Sequence, residues 1–172
     1  MTGAVLGYDL GHRGTAEAEH WLTALRAGWS PVPGPPAALV ACTHLVHGHR
    51  PRVVVTVAGA DPDALPPAST TDAAAAAAAH HAAGHAGRAV WFPGVRELTG
   101  VLPVATLLAV SAIDQVAVLG GPPAGPDTLL DTRDFVRPQY CDGRLVLTAT
   151  PAPGGLIAPF EVPNPTPCCA AH

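Results

Sequence analysis

The segment Arg52–Ala58 constrains the fold most, because it is a nearly continuous run of valines. A strand that is apolar on both faces is typical of a sheet covered by helices on both sides. Further strand patterns at residues 88–92 and 115–119 alternate with an Ala-rich helical pattern and with an apolar one over residues 102–113. This alternation predicts an α/β domain with a short parallel βαβαβ core, layered with helices, between residues 51 and 121.

The first 50 residues are predicted to form a mainly helical part after a short strand at residues 3–8. Residues Ala18, Trp21, Leu22 and Leu25 recur at helical spacing, which predicts an amphipathic helix over Thr15–Ala27. A second helix is expected over residues 37–47, because Pro36 suits a first helical turn and Gly48 a helix end. The Ala-rich helix further along is expected to end near Ala83 and to be capped by one of residues 69–72.

The last third of the chain has a different pattern, with apolar runs at residues 131–137, 144–150 and 156–162. Asp142-Gly143 between two such runs is a strong signal for a β-hairpin. Residues 128–162 are therefore expected to form an antiparallel β-meander. The tail at residues 163–172 holds three prolines near its start, so we expect it to lie extended. All of these parts are assigned to a single domain spanning residues 1–172.

Composition narrows the classes of partner. Net charge is −4, and the nine basic residues are all Arg and are scattered along the chain, so the basic patch that nucleic-acid binding requires is missing. The sequence shows neither a secretory signal pattern nor an apolar stretch of membrane-spanning length, so we expect a soluble, cytoplasmic protein without a membrane partner. The abundance of Ala, Gly, Pro and Arg resembles that of proteins from GC-rich bacterial genomes. Low charge and exposed Pro-rich segments favour a homodimer.

The C-terminal Cys168-Cys169-Ala170-Ala171-His172 is the sharpest chemical motif. Thiolates and an imidazole suit zinc or copper(I), and Cys141 on the predicted hairpin would supply a fourth ligand for zinc. Adjacent cysteines seldom bind one ion, because structural zinc sites usually separate them by two to four residues. The alternative is that both cysteines fill apolar space as small side chains.

An alternative metal site comprises His44 and His47, with Cys42 nearby. Three residues apart on the predicted second helix, the two histidines would share a face and could bind one ion together. Histidines are also favoured at a helix C-terminus by the helix dipole alone.

A ligand site is also expected where the predicted parallel strands end, because ligands bind at the carboxyl ends of such strands. Asp61, Arg96, Gly120 and Gly121 stand at these positions. Arg96 could pair with an anionic group, and the glycines would let a ligand approach the backbone. The segments match neither dinucleotide-binding nor P-loop motifs.

These observations leave three classes of function open. The first is a metal- or thiol-dependent protein that uses the C-terminal Cys-Cys-x-x-His segment. The second is a small-molecule-binding or enzymatic α/β domain that uses the strand-end loops. The third is a non-catalytic structural or interaction protein. The sequence supplies no catalytic residue, substrate or reaction.

Overall fold

A computed structural model describes residues 4–27, 39–47 and 49–163 of the chain. Three α-helices lie in this part: α1 (Thr15–Ala27), α2 (Asp72–Ala82) and α3 (Val104–Val110). None of the three is long and apolar enough to cross a membrane. Ten strands accompany them: β1 (Leu6–His12), β2 (Val40–Val46), β3 (Arg52–Ala58), β4 (Arg88–Trp91), β5 (Val101–Pro103), β6 (Gln115–Val118), β7 (Leu129–Asp131), β8 (Gln139–Cys141), β9 (Arg144–Ala152) and β10 (Leu156–Pro159).

Strands dominate the fold: the described residues form ten strands, whose pairings are mixed but mostly antiparallel. The predicted parallel βαβαβ core is therefore wrong. The valine-rich strand β3 pairs with β1 on one side and β2 on the other, and both pairings are antiparallel. The physical reason is the length of the connection: only residues 47–51 separate β2 from β3, and such a short link joins antiparallel strands, whereas a parallel crossover needs a dozen or more residues.

The second predicted helix, over residues 37–47, is also wrong, because Val40–Val46 forms strand β2. All seven of its residues pair with β3, and Ala41, Cys42 and Thr43 also pair with β4 on the other side. Val40, Thr43 and Val46 are β-branched and favour a strand, and pairing on both edges outweighs the local helix signal. The predicted start at Pro36 and end at Gly48 lie outside the described residues.

The chain divides into two compact units, one formed by Met1–Pro93 with Pro138–Leu145, the other by Gly94–Arg137 with Val146–His172. The single domain expected over residues 1–172 stays a prediction. In the first unit the strand order is β1-β3-β2-β4-β8, with every pairing antiparallel.

Two helices cover the sheet of the first unit on opposite faces. One face of β3 carries Val53, Val55 and Val57, which form a core with Leu22 of α1 and Tyr8 of β1. The alternating residues Val54 and Thr56 point to the other face, where α2 packs. Val53 through Val57 are all buried, which accounts for the run of apolar residues in this strand.

Helix α2 starts at a well-defined cap. The Thr71 hydroxyl accepts a hydrogen bond from the Ala74 N–H at 3.2 Å and donates one to Asp9 at 3.0 Å. Gly7 of β1 lies against the Ala74 carbonyl, where a Cβ atom would clash, so its lack of a side chain lets the helix approach the strand. The cap therefore fixes where α2 begins, and the helix length then sets the position of His81 in its last turn.

In the second unit, β6 lies parallel to β9, β10 lies antiparallel to β9 and parallel to β7, and β5 borders β7 antiparallel. Its buried residues include Leu107, Leu130, Leu147 and Val116. The helix predicted over residues 102–113 is shorter, since β5 occupies its start. The strand predicted over residues 131–137 is wrong, because β7 covers Leu129–Asp131 and Arg133 and Asp134 adopt positive φ angles in the loop that follows. The tail beyond residue 163 lies outside the described residues.

Candidate functional site

Four buried polar side chains form a hydrogen-bonded chain between the sheet of the first unit and α2. The Cys42 Sγ lies 3.9 Å from Nε2 of His81. The other ring nitrogen of His81, Nδ1, lies 2.8 Å from the Thr56 hydroxyl, which is also 2.8 Å from Nε2 of His44. We call these four residues the Cys42–His44 chain, after its two ends; its members in order are Cys42, His81, Thr56 and His44.

The strand register brings the four residues together. Cys42 and His44 are two apart on β2 and so share one face of the sheet. Cys42 pairs directly with Thr56 of β3, which places the thiol and the hydroxyl side by side on that face. His81, in the last turn of α2, covers this pair and contacts both groups.

Burial keeps all four side chains of the Cys42–His44 chain uncharged at neutral pH. Desolvation raises the pKa of the Cys42 thiol to about 12 and lowers the pKa values of His44 and His81 to about 4. The positive charges that His81 and His80 can carry also lower the pKa of His44. The thiol is therefore protonated and both imidazoles are neutral, so that each ring has one nitrogen that donates and one that accepts.

A cleft of about 500 Å³ opens beside the chain, and His44 is the chain member that lines it. Its apolar lining includes Leu45, Val46, Ala73, Ala76 and Ala86. Its polar lining includes His44, His80, His85, Gln139 and Tyr140. Leu45 is 59% exposed, an unusual position for a large apolar side chain on a paired strand. The cleft thus combines an apolar wall with one edge of a buried polar network.

Gly87 separates the cleft from the Cys42 thiol. It lines the cleft and has φ +137°, and a Cβ atom there would come within 3.0 Å of Cε1 of His44 and 3.2 Å of the Cys42 Sγ. The Gly87 carbonyl accepts a hydrogen bond from the Tyr140 N–H at 2.9 Å, and the Gly84 carbonyl accepts one from the Gly143 N–H at 2.9 Å. The hairpin turn Asp142-Gly143, in which both residues have positive φ, therefore holds the loop that covers the thiol.

Arg88 brings a cation to the cleft, but its charge is compensated. Its Nη1 lies 2.7 Å from a Glu19 carboxylate oxygen of α1 and donates to the Thr43 hydroxyl at 3.3 Å. Both partners of this ion pair are largely buried, with side-chain exposures of 11% and 18%. The guanidinium is therefore held on the α1 side of the sheet rather than offered to an anion in the cleft.

Of the residues predicted to bind a metal, the structure describes Cys141, His44 and His47. Cys141 is exposed next to the hairpin turn, whereas Cys168, Cys169 and His172 lie outside the described residues. His44 is buried and His47 is exposed, and the helix face that they were expected to share does not exist. Within residues 4–27, 39–47 and 49–163, no group of three or more His, Cys, Asp or Glu side chains could hold a metal ion. Binding of zinc or copper at the tail stays a prediction.

The predicted ligand-binding residues occupy exposed positions. Asp61 caps a short 3₁₀ turn by accepting a hydrogen bond from the Asp63 N–H at 3.0 Å. Arg96 is exposed within another 3₁₀ turn, and Gly120 and Gly121 are exposed just after β6. Their role in ligand binding stays a prediction, although the parallel core that suggested it does not.

Sequence reasoning missed Thr56 and His81 as members of a site. A period-two reading of residues 40–46 would have placed Cys42 and His44 on one face, and Thr56 is the single hydroxyl within the valine run. These signals become informative only when β2 is recognised as a strand.

Comparison with known proteins found no matching family model, no similar curated protein and no similar solved structure.

Proposed function

We propose that the protein binds a small, uncharged, partly apolar molecule in the cleft, with one hydrogen bond to His44. The observation that carries this proposal is that His44 belongs both to the buried polar chain and to the lining of the cleft. Burying polar groups is costly unless they are hydrogen-bonded, and ligand clefts are mostly apolar with a few placed polar groups that orient the ligand.

The chemistry of the lining supports this class of ligand. His44 is neutral at pH 7 because burial lowers its pKa to about 4, and Arg88 is paired with Glu19. Neither group favours an ionic ligand. The apolar wall, which includes Leu45 and Ala76, offers contact to a hydrocarbon surface, while His44 supplies a directional hydrogen bond.

The proposal is tested by measuring ligand binding in the cleft before and after a substitution in α2. Acetophenone, a small aromatic ketone, is titrated into ¹⁵N-labelled protein, and amide shifts are expected at Leu45, Gly87 and Tyr140. Ala76→Leu places a larger side chain in the cleft and is expected to weaken binding at least tenfold. Leu favours helices and Ala76 is exposed, so the fold is expected to tolerate the change.

Ala75→Leu is the matched control, because Ala75 is exposed on the same helix but does not line the cleft. It is expected to leave the affinity unchanged. Equal weakening by both variants, or shifts that lie away from the cleft, would contradict the proposal.

The tail supports a second candidate, a metal- or thiol-dependent function, through two adjacent thiols and an imidazole in the sequence. Elemental analysis of untagged protein should then find stoichiometric zinc or copper. Removing residues 168–172 should abolish it, whereas retained metal would place the site elsewhere. A cytoplasmic location and a homodimeric state are further proposals that depend on composition alone.

A further inference from the structure

We infer that the cleft selects a ligand with a hydrogen-bond acceptor, such as a carbonyl oxygen, because the Cys42 thiol fixes which nitrogen of His44 carries the proton. This inference rests on the proposed function, since it specifies the polar group of the ligand bound at His44. It follows from counting the hydrogen atoms available to the Cys42–His44 chain.

Thr56 has one hydroxyl hydrogen and lies between two imidazoles, so it can donate to only one of them. If it donates to Nε2 of His44, it must accept from Nδ1–H of His81. If it donates to Nδ1 of His81, it must accept from Nε2–H of His44. Accepting from both rings would leave the buried hydroxyl hydrogen without an acceptor, because Thr56 has no third partner among the described residues. In the two arrangements with one donation, both neutral rings carry their proton on the same type of nitrogen, Nδ1 in the first and Nε2 in the second.

The thiol distinguishes the two arrangements. In the first, Nε2 of His81 is unprotonated and accepts the Cys42 S–H, so every hydrogen within the chain has an acceptor. In the second, Nε2–H of His81 points at sulfur, and the S–H hydrogen has no other acceptor among the described residues. A buried donor without an acceptor is unfavourable, so the first arrangement is preferred.

The preferred arrangement determines what His44 offers to the cleft. Its Nε2 is occupied by the Thr56 hydroxyl, and its proton is on Nδ1, which has no protein partner among the described residues. Because His44 lines the cleft, this N–H is the group that it can offer to a ligand. The cleft therefore presents an N–H donor and favours an acceptor such as a ketone, amide or ester oxygen. A ligand that can only donate would require the second arrangement, in which the S–H hydrogen of Cys42 has no acceptor among the described residues.

The first test reads the protons directly in the free protein. ¹⁵N chemical shifts of the histidine rings at pH 7.5 distinguish Nδ1–H from Nε2–H, and histidine in water favours Nε2–H. Both His44 and His81 are expected to be Nδ1–H. Cys42→Ala removes the thiol and should raise the Nε2–H fraction at both rings together, whereas Cys42→Ser keeps a donor and should restore Nδ1–H. Finding Nε2–H at either ring in the unmodified protein would overturn the inference.

The second test compares acetophenone with α-methylstyrene, which has nearly the same shape but a CH₂ group in place of the carbonyl oxygen. Acetophenone should bind about tenfold more tightly, since one hydrogen bond contributes about 1.4 kcal/mol. Cys42→Ala should reduce this ratio and Cys42→Ser should restore it. Equal affinities would overturn the inference and leave the cleft function standing. If His44 is Nδ1–H but neither probe shifts cleft resonances, the proposed function fails and the ligand class inferred here falls with it.

Discussion

At the scale of single residues, Thr56 is the group on which the buried polar chain depends. It is fully buried in the middle of a valine strand, and its hydroxyl lies 2.8 Å from two different imidazoles. Each ring nitrogen that loses this partner would be left buried without a hydrogen bond. Each member of the Cys42–His44 chain therefore depends on the others for its hydrogen bonds, and removing one leaves its neighbours buried and unpaired.

Thr56→Val is expected to destabilise the protein by about 2–4 kcal/mol, because it leaves one nitrogen of His44 and one of His81 unpaired at nearly constant side-chain volume. Thr56→Ser keeps the hydroxyl and should cost about 1 kcal/mol, through the lost methyl group. Urea unfolding measures both. Thr150→Val, on the half-buried side of β9, is the control and should change stability by less than about 0.5 kcal/mol. Similar effects of Thr56→Val and Thr150→Val would contradict the role given to the hydroxyl.

At the scale of elements, periodicity predicted helices and strands well where one signal dominated. Helix α1 begins at Thr15 and ends at Ala27, and β3 spans Arg52–Ala58, as their patterns predicted. Thr71 is among the cap residues expected for α2. The segment now seen as β2 was misassigned because Pro36 and Gly48 are ordinary helix signals, whereas its strand conformation comes from pairing with residues distant in sequence.

Thr71→Ala is expected to lower the free energy of unfolding by about 1–2 kcal/mol, because it removes the hydroxyl that caps α2 and binds Asp9. Since α2 carries His81, the loss should also broaden or shift the ring signals of that histidine. Chemical unfolding followed by circular dichroism gives the first quantity and NMR the second. Thr70→Ala alters the exposed neighbour and should have little effect on either. A comparable loss from Thr70→Ala would show that the cap geometry is not responsible.

At the scale of the whole molecule, the sequence predicted the presence of most strands but not how they pair. A parallel crossover and a hairpin meander use the same apolar runs, and the choice between them depends on the short link at residues 47–51 and on the positive-φ turn at Asp142-Gly143. The candidate site could not be predicted from the sequence for the same reason. Cys42, Thr56 and His81 lie 39 positions apart from first to last and meet only through antiparallel register and the placement of α2.

The buried histidines also tie the stability of the whole fold to pH. The pKa of each imidazole falls from an ordinary value of 6.5 to about 4 on folding. Between these pH values the two histidines are protonated in the unfolded state but not in the folded state. Their contribution to the free energy of unfolding is therefore complete above about pH 6.5 and is lost as pH falls toward 4. The thiol acts at the other end of the scale: its pKa rises from 9 to about 12, so stability declines as pH rises above 9.

The expected slope is about 1.4 kcal/mol per pH unit for each histidine, which is large against a typical total stability of about 5–15 kcal/mol. Urea unfolding between pH 4 and 7 measures it. His81→Gln should lower the stability at pH 7. It should also reduce the histidine contribution to the slope of unfolding free energy against pH by about half, because only His44 then remains to be protonated on unfolding. His20→Gln alters an exposed histidine of α1 and should leave the slope unchanged. If His81→Gln and His20→Gln gave the same slope of stability against pH, protonation of the buried histidines would not be the cause of the loss of stability at low pH.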